Sequence, residues 1–94
     1  MAKKTLLWTT PALQDLELIR EHVSHDDPNA AAMLAQRLLK SVERLRQHPL
    51  SGRVVPEFSS RSYREVIVPP YRIVYFVEDI RVIILRVWHG RRQR

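Results

Sequence analysis

Cysteine is absent from the 94 residues, which removes disulfide frameworks, thiolate metal sites and cysteine nucleophiles together. Glycine is scarce, with only Gly52 and Gly90, so no glycine-rich loop is available to cradle a nucleotide. No serine sits in a nucleophile-elbow context. The apolar runs fall far short of the ~18 residues that a membrane span requires. Leu6, Leu7 and Trp8 follow Lys3 and Lys4 but run at once into Thr9, Thr10 and Pro11, too few for a signal-peptide core. The expectation is a single cytoplasmic domain over residues 1–94, with no membrane contact. There are no repeats and no low-complexity tracts.

What is present is charge, unevenly placed. The chain holds 16 basic and 10 acidic residues, a net +6. Residues 1–47 are nearly balanced, with seven basic and six acidic side chains. Residues 48–94 carry nine basic and four acidic, and all nine bases are arginine. No acid follows Asp79, whereas five arginines do. Arginine grips carboxylates and phosphates through a planar fork. The second half therefore points to an acidic partner, either nucleic acid or an acidic protein segment.

The pattern along the chain predicts an α+β fold. Lys3 to Thr9 reads as a short strand. Thr10-Pro11 has the form of a helix cap followed by a proline at the first helical position. Asp15 and Glu17 suit the early turns, and Ala12, Leu16, Ile19 and Val23 form one apolar stripe that fades near His22 to His25. Asp27-Pro28 repeats the cap signal. A second helix is predicted from Pro28 to about Gln47, with Ala31, Leu34, Ala35, Leu38, Val42 and Leu45 inward; such a rod is roughly 30 Å long. Pro49 and Gly52 stop it. The two helices read as an antiparallel hairpin.

From Arg53 the period changes to two. Strands are predicted at Tyr63–Val68, Tyr71–Val77 and Arg81–His89, the last two joined tightly through Glu78-Asp79. Arg53 to Phe58 is an irregular edge segment, demoted by Pro56. The helix hairpin then packs on a C-terminal antiparallel three-stranded sheet. Both sheet faces are apolar, yet two helices cover one. Strict alternation puts Arg72, Val74, Phe76, Ile84, Arg86 and Trp88 on the uncovered face. An exposed apolar surface with arginine and aromatics has the make-up of a protein interface.

Catalytic chemistry is thinly supplied. His22 and His25 are three apart but lack further ligands, so no metal site is expected, and no cofactor. His89 could exchange a proton near neutral pH, and Arg72, Arg86, Arg91 and Arg92, with Tyr63 and Tyr75 as further candidates, could hold a phosphate. Such a set allows metal-free RNA cleavage through the 2′-OH.

The run Tyr71-Arg72-Ile73-Val74-Tyr75, then Ile83 to Val87, then His89-Gly90-Arg91-Arg92 resembles the ParE/RelE superfamily of bacterial toxins. Trp8-Thr9-Thr10-Pro11-Ala12, Asp15-Leu16 and Pro49-Leu50-Ser51-Gly52-Arg53 are similar to ParE-type members. The resemblance implies a toxin of a type II toxin–antitoxin system, held inactive in a hetero-oligomer by a ParD-like antitoxin wrapped over its surface. Arg72, Val74, Phe76, Ile84 and Arg86 are the expected antitoxin contacts. RelE-type members cut messenger RNA on the ribosome, whereas ParE-type members poison DNA gyrase. The RNA-cleaving toxins carry lysines on the strand before the tyrosine–arginine strand and a tyrosine in a C-terminal extension. Here that strand holds Tyr63, Arg64 and Glu65, and no such extension is expected after Arg94. The resemblance therefore implies a non-enzymatic gyrase inhibitor, with Trp88, His89, Arg91 and Arg92 toward the target. The alternative is a ribosome-dependent endoribonuclease using Arg72, His89 and Arg92.

Overall fold

A computed structural model describes residues 3–90 of the chain. The order is β1 (Thr5–Trp8), α1 (Thr10–Asp26), α2 (Pro28–Arg44), β2 (Arg53–Val54), β3 (Tyr63–Val68), β4 (Tyr71–Val77) and β5 (Arg81–His89). Both helices start at threonine or aspartate followed closely by proline. The cap of α1 is Thr9, one residue earlier than the spacing suggests, and its hydroxyl accepts from the Ala12 N–H at 3.1 Å. Thr9 does more than Thr10 could, because the same hydroxyl donates to the Leu85 carbonyl at 3.0 Å and pins the helix start to the sheet. Asp27 ends α1 and begins α2, its Oδ1 accepting from Asn29 and Ala30. Helix α2 stops at Arg44, three residues short of the expected end. The chain tightens there into i→i+3 bonds, Leu45 N–H to Val42 and Arg46 N–H to Glu43.

The expected three-stranded antiparallel unit, β3–β4–β5, is extended at both edges into a five-stranded mixed sheet of order β1-β5-β4-β3-β2. β1 pairs parallel with β5, and β2 adds two residues antiparallel to β3. The helix hairpin lies on one face. There Ala12, Leu38, Val42, Leu45, Ile73, Tyr75, Val82 and Ile84 are each 1% exposed or less. Removing such apolar surface from water is the main force holding a domain this small.

One irregularity decides which side chains face which way. Val74 pairs with Arg86 but Tyr75 pairs with Ile84, so Leu85 has no partner opposite it. This β-bulge inserts one residue and reverses the alternation of β5 from that point. Ile84 therefore lies with Tyr75 on the helix-covered face, fully buried. The expected placement of Ile84 on the uncovered face is wrong for this reason. Ile83 takes the outer position opposite Phe76.

A second lock joins the sheet to the loop after α2. The Tyr75 hydroxyl donates to the Pro49 carbonyl at 2.8 Å and accepts from the Gly52 N–H at 3.0 Å. Burial pushes the Tyr75 phenol above its ordinary value, against the smaller opposing effect of the Gly52 bond. A Cβ at position 52 would lie 2.5 Å from that hydroxyl and 2.6 Å from the Glu65 carbonyl, so only glycine fits. Arg64 donates to the Gly52 carbonyl at 2.8 Å and fixes the same turn.

Candidate functional site

The sheet face away from the helices is organised in rows set by the strand register. Leu7, Ile83, Phe76 and Tyr63 are successive ladder partners across β1, β5, β4 and β3. Phe58 extends the row, edge-on to Tyr63 at 4.8 Å, and Tyr63 packs on Phe76 at 4.7 Å. The row stays open to solvent at both ends, with Leu7 43% and Phe58 36% exposed. Sequence reasoning found Phe76 but missed Leu7, Ile83, Tyr63 and Phe58. The signal was there for Leu7, which alternates with Leu6 and Trp8.

The next rows are ionic. Arg86, Val74, Glu65 and Arg53 are ladder partners, and beside them run Trp88, Arg72 and Ile67. The Glu65 side chain is fully buried and held on both oxygens. Arg72 Nη1 binds one, and Arg53 Nε binds the other at 2.5 Å. The Arg72 side chain is itself only 7% exposed. Its guanidinium and that of Arg86 both lie 5.3 Å from the Trp88 ring centre, a cation–π distance. Val74, within the first of these rows between Arg86 and Glu65, is 1% exposed. Of the five residues expected to meet a partner on this face, Ile84 belongs to the core, and Val74 and Arg72 are buried within the face. Phe76 and Arg86 remain partly accessible.

Arg86 is positioned by α1. Asp15 accepts from Arg86 Nε at 2.7 Å and Nη2 at 3.0 Å, and also from the Val87 N–H at 2.9 Å. This bidentate pair raises the Arg86 guanidinium above its ordinary value. β1 pairs β5 only from Arg81 to Ile84. Beyond it, the Asp15 carboxylate satisfies an edge N–H that a strand would otherwise have to meet.

Asp15 also lines a groove of about 480 Å³ between α1 and the end of the β4–β5 hairpin. Leu18 and His22 contribute from the helix, and Tyr71, Trp88 and His89 from the strands. The His89 ring stands edge-on to Tyr71 with centres 5.7 Å apart. Trp88 and His89 both line this groove, Trp88 from the strand position opposite Arg72 and His89 from the one opposite Tyr71. Arg91 and Arg92, expected beside them, lie outside the described residues.

His89 and Arg72 are not brought together. His89 pairs with Tyr71 in the ladder, and Arg72 pairs with Trp88. Side chains alternate along a strand, so the two residues project from opposite faces of the sheet.

The family model described as ParE toxin of type II toxin–antitoxin system, parDE, matches residues 6–94. The chain belongs to that family. Toxin RelE2 of Caulobacter vibrioides is 39% identical over 88 residues, spanning 93% of this chain and 96% of that protein. A protein of Sinorhizobium fredii described as putative toxin Y4kP is 36% identical over 99% of this chain and 95% of its own length. Among solved structures, the chromosomal ParDE toxin–antitoxin system of Pseudomonas aeruginosa superposes with a TM-score of 0.76 at 26% identity, covering 93% of this chain and 96% of that one. The RelBE2 complex of Mycobacterium tuberculosis shares the fold, with a TM-score of 0.68 at 24% identity over 95% and 93% of the two chains. The α+β architecture expected of a ParE/RelE-type toxin is the one observed.

Proposed function

We propose that this type II toxin acts in the cytoplasm as a non-enzymatic inhibitor of DNA gyrase, neutralised by a ParD-like antitoxin. The observation that carries the reading is the state of Arg72. An arginine serving RNA cleavage must present its guanidinium to a phosphate. Here the guanidinium is buried, bound to Glu65 and stacked on Trp88. Glu65 occupies a position on the strand where RNA-cleaving relatives are expected to carry lysine. His89 projects from the other side of the sheet. The set Arg72, His89 and Arg92 therefore lacks a common surface for its two described members.

The outer face supports the antitoxin half of the proposal. The row from Leu7 to Phe58 offers apolar contact beside Arg86, the composition of an interface core with a charged rim. The solved relative at 26% identity is described as a ParDE system. Trp88 and His89, which line the groove beside α1, are the described part of the proposed gyrase contact; Arg91 and Arg92, which follow them in the sequence, lie outside the described residues.

The name of the relative at 39% identity, toxin RelE2, favours the second reading, ribosome-dependent cleavage of messenger RNA. Cell-free translation with the purified toxin separates the two. Primer extension on the translated message should show intact RNA. Cuts within codons occupied by ribosomes would overturn the proposal.

A further inference from the structure

We propose that the groove between α1 and the end of the β4–β5 hairpin receives a nonpolar side chain of gyrase, carried on an acidic segment, and that Leu18 and His22 form its helix wall. This surface rests on the gyrase reading and extends the contact from the end of β5 to two residues of α1.

The groove has apolar walls on both sides. Leu18 and Ile19 line it from the helix, and Pro70, Tyr71 and Val87 from the hairpin. The strand residues share one face of the sheet. Tyr71 and His89 are ladder partners, and Val87 lies two residues before His89 on β5, so all three stand on the side that α1 covers. Ala12, Leu16 and Ile19 already make the contact of α1 with the core. Leu18 is 64% exposed. One exposed leucine needs no explanation, but this one stands at the mouth of an apolar groove and enlarges it into a patch. The acid in the groove does not call for a cation. Asp15 accepts two bonds from the Arg86 guanidinium and one from the Val87 N–H, so its charge is matched within the toxin. The chain's own end supplies no occupant. Gly90 donates its N–H to the Pro70 carbonyl at 2.7 Å, so the chain leaves β5 beside the groove. The four residues that follow are three arginines and a glutamine, none with a nonpolar side chain to fill it. The occupant comes from another molecule, and arginines next in the chain suit acidic groups around its apolar anchor. A nonpolar side chain in a pocket with charge at the rim is the usual form of an interface anchor.

Leu18→Glu in the full-length toxin tests the proposal, with supercoiling by purified gyrase as the readout. The position is exposed, so the variant should fold, and its melting temperature checks this. The toxin concentration for half-inhibition should rise about tenfold or more, as loss of an apolar anchor does. His22→Glu, exposed on the same wall, should act in the same direction and decides the matter if Leu18→Glu fails to fold. Leu39→Glu, at an exposed position of α2 away from the groove, should leave half-inhibition unchanged. Wild-type inhibition that survives the groove substitutions would overturn the proposal and leave the gyrase reading standing. No inhibition by the wild-type toxin would remove both. Calorimetric titration with the antitoxin identifies the other occupant. Weaker antitoxin binding by Leu18→Glu with gyrase inhibition retained would give the groove to the antitoxin and overturn the proposal.

Discussion

Arg72 and His89 point to opposite faces of the central hairpin, although they look like partners in the sequence. Their ladder partners, Trp88 and Tyr71, fix this. The consequence is a division of labour across the sheet. One face carries the ion-paired Arg72 and the apolar row, and the other carries His89 against Tyr71 at the end of the groove.

Glu65 should be the most sensitive polar residue in the chain. Glu65→Ala leaves the buried Arg72 guanidinium without its carboxylate, and breaking a buried pair in this way costs about 3–5 kcal/mol. Urea unfolding should show a loss of that order. The double variant Glu65→Met with Arg72→Met should recover most of it, because no buried charge is then stranded. Equal losses in the single and double variants would mean that the pair is not the source.

Leu38 lies fully buried at the centre of α2. Leu38→Ala removes most of its side chain and leaves a cavity, at a cost of roughly 2–5 kcal/mol. A shift in melting temperature near zero would contradict the assignment of the α2 face.

Phe76→Glu and Ile84→Glu should behave differently. Ile84 is sealed in the core, so glutamate there would bury an unpaired charge and unfold the free toxin. Phe76 is partly accessible on the outer row. Phe76→Glu should leave a cooperative thermal transition and weaken antitoxin binding by about tenfold or more, as loss of an aromatic anchor does. Calorimetric titration with the antitoxin reads the second effect and circular dichroism the first.

Tyr75 gives the stability an alkaline limit. Its folded phenol titrates above the ordinary value of 10.0, so the folded state binds the proton more tightly than the unfolded chain. Its contribution is complete below pH 10 and declines as the pH rises from there through the folded value. Tyr75→Phe should remove this component of the decline. It should also lower stability at neutral pH by about 1–3 kcal/mol, because the Pro49 carbonyl and Gly52 N–H lose their buried partner. Denaturant midpoints at neutral and alkaline pH measure both.

Much of this was readable in the residues. Apolar spacing located both helices, and the period of two located Tyr63–Val68, Tyr71–Val77 and Arg81–His89 with the bounds the structure shows. Those signals are local, set by periodicity and by Asp27-Pro28. The misplacement of Ile84 has a non-local cause. At the bulge opposite Val74 and Tyr75 the Leu85 carbonyl is bonded to the Thr9 hydroxyl at the start of α1, a contact 76 residues apart in the chain, and β5 itself has no glycine to mark it. Asp15 likewise reads as an acid suited to a helix dipole, yet it serves Arg86 and Val87, more than 70 residues away. The burial of Arg72 follows from Glu65, seven residues earlier, and only the β3–β4 register shows that the two share a face.

The measurement that tests the central claim most directly is supercoiling of relaxed plasmid by purified gyrase in the presence of this toxin. The account predicts inhibition at near-stoichiometric ratios, with cleaved DNA trapped on the enzyme, and relief when the antitoxin is added. Full supercoiling activity in the presence of folded, antitoxin-free toxin would contradict it.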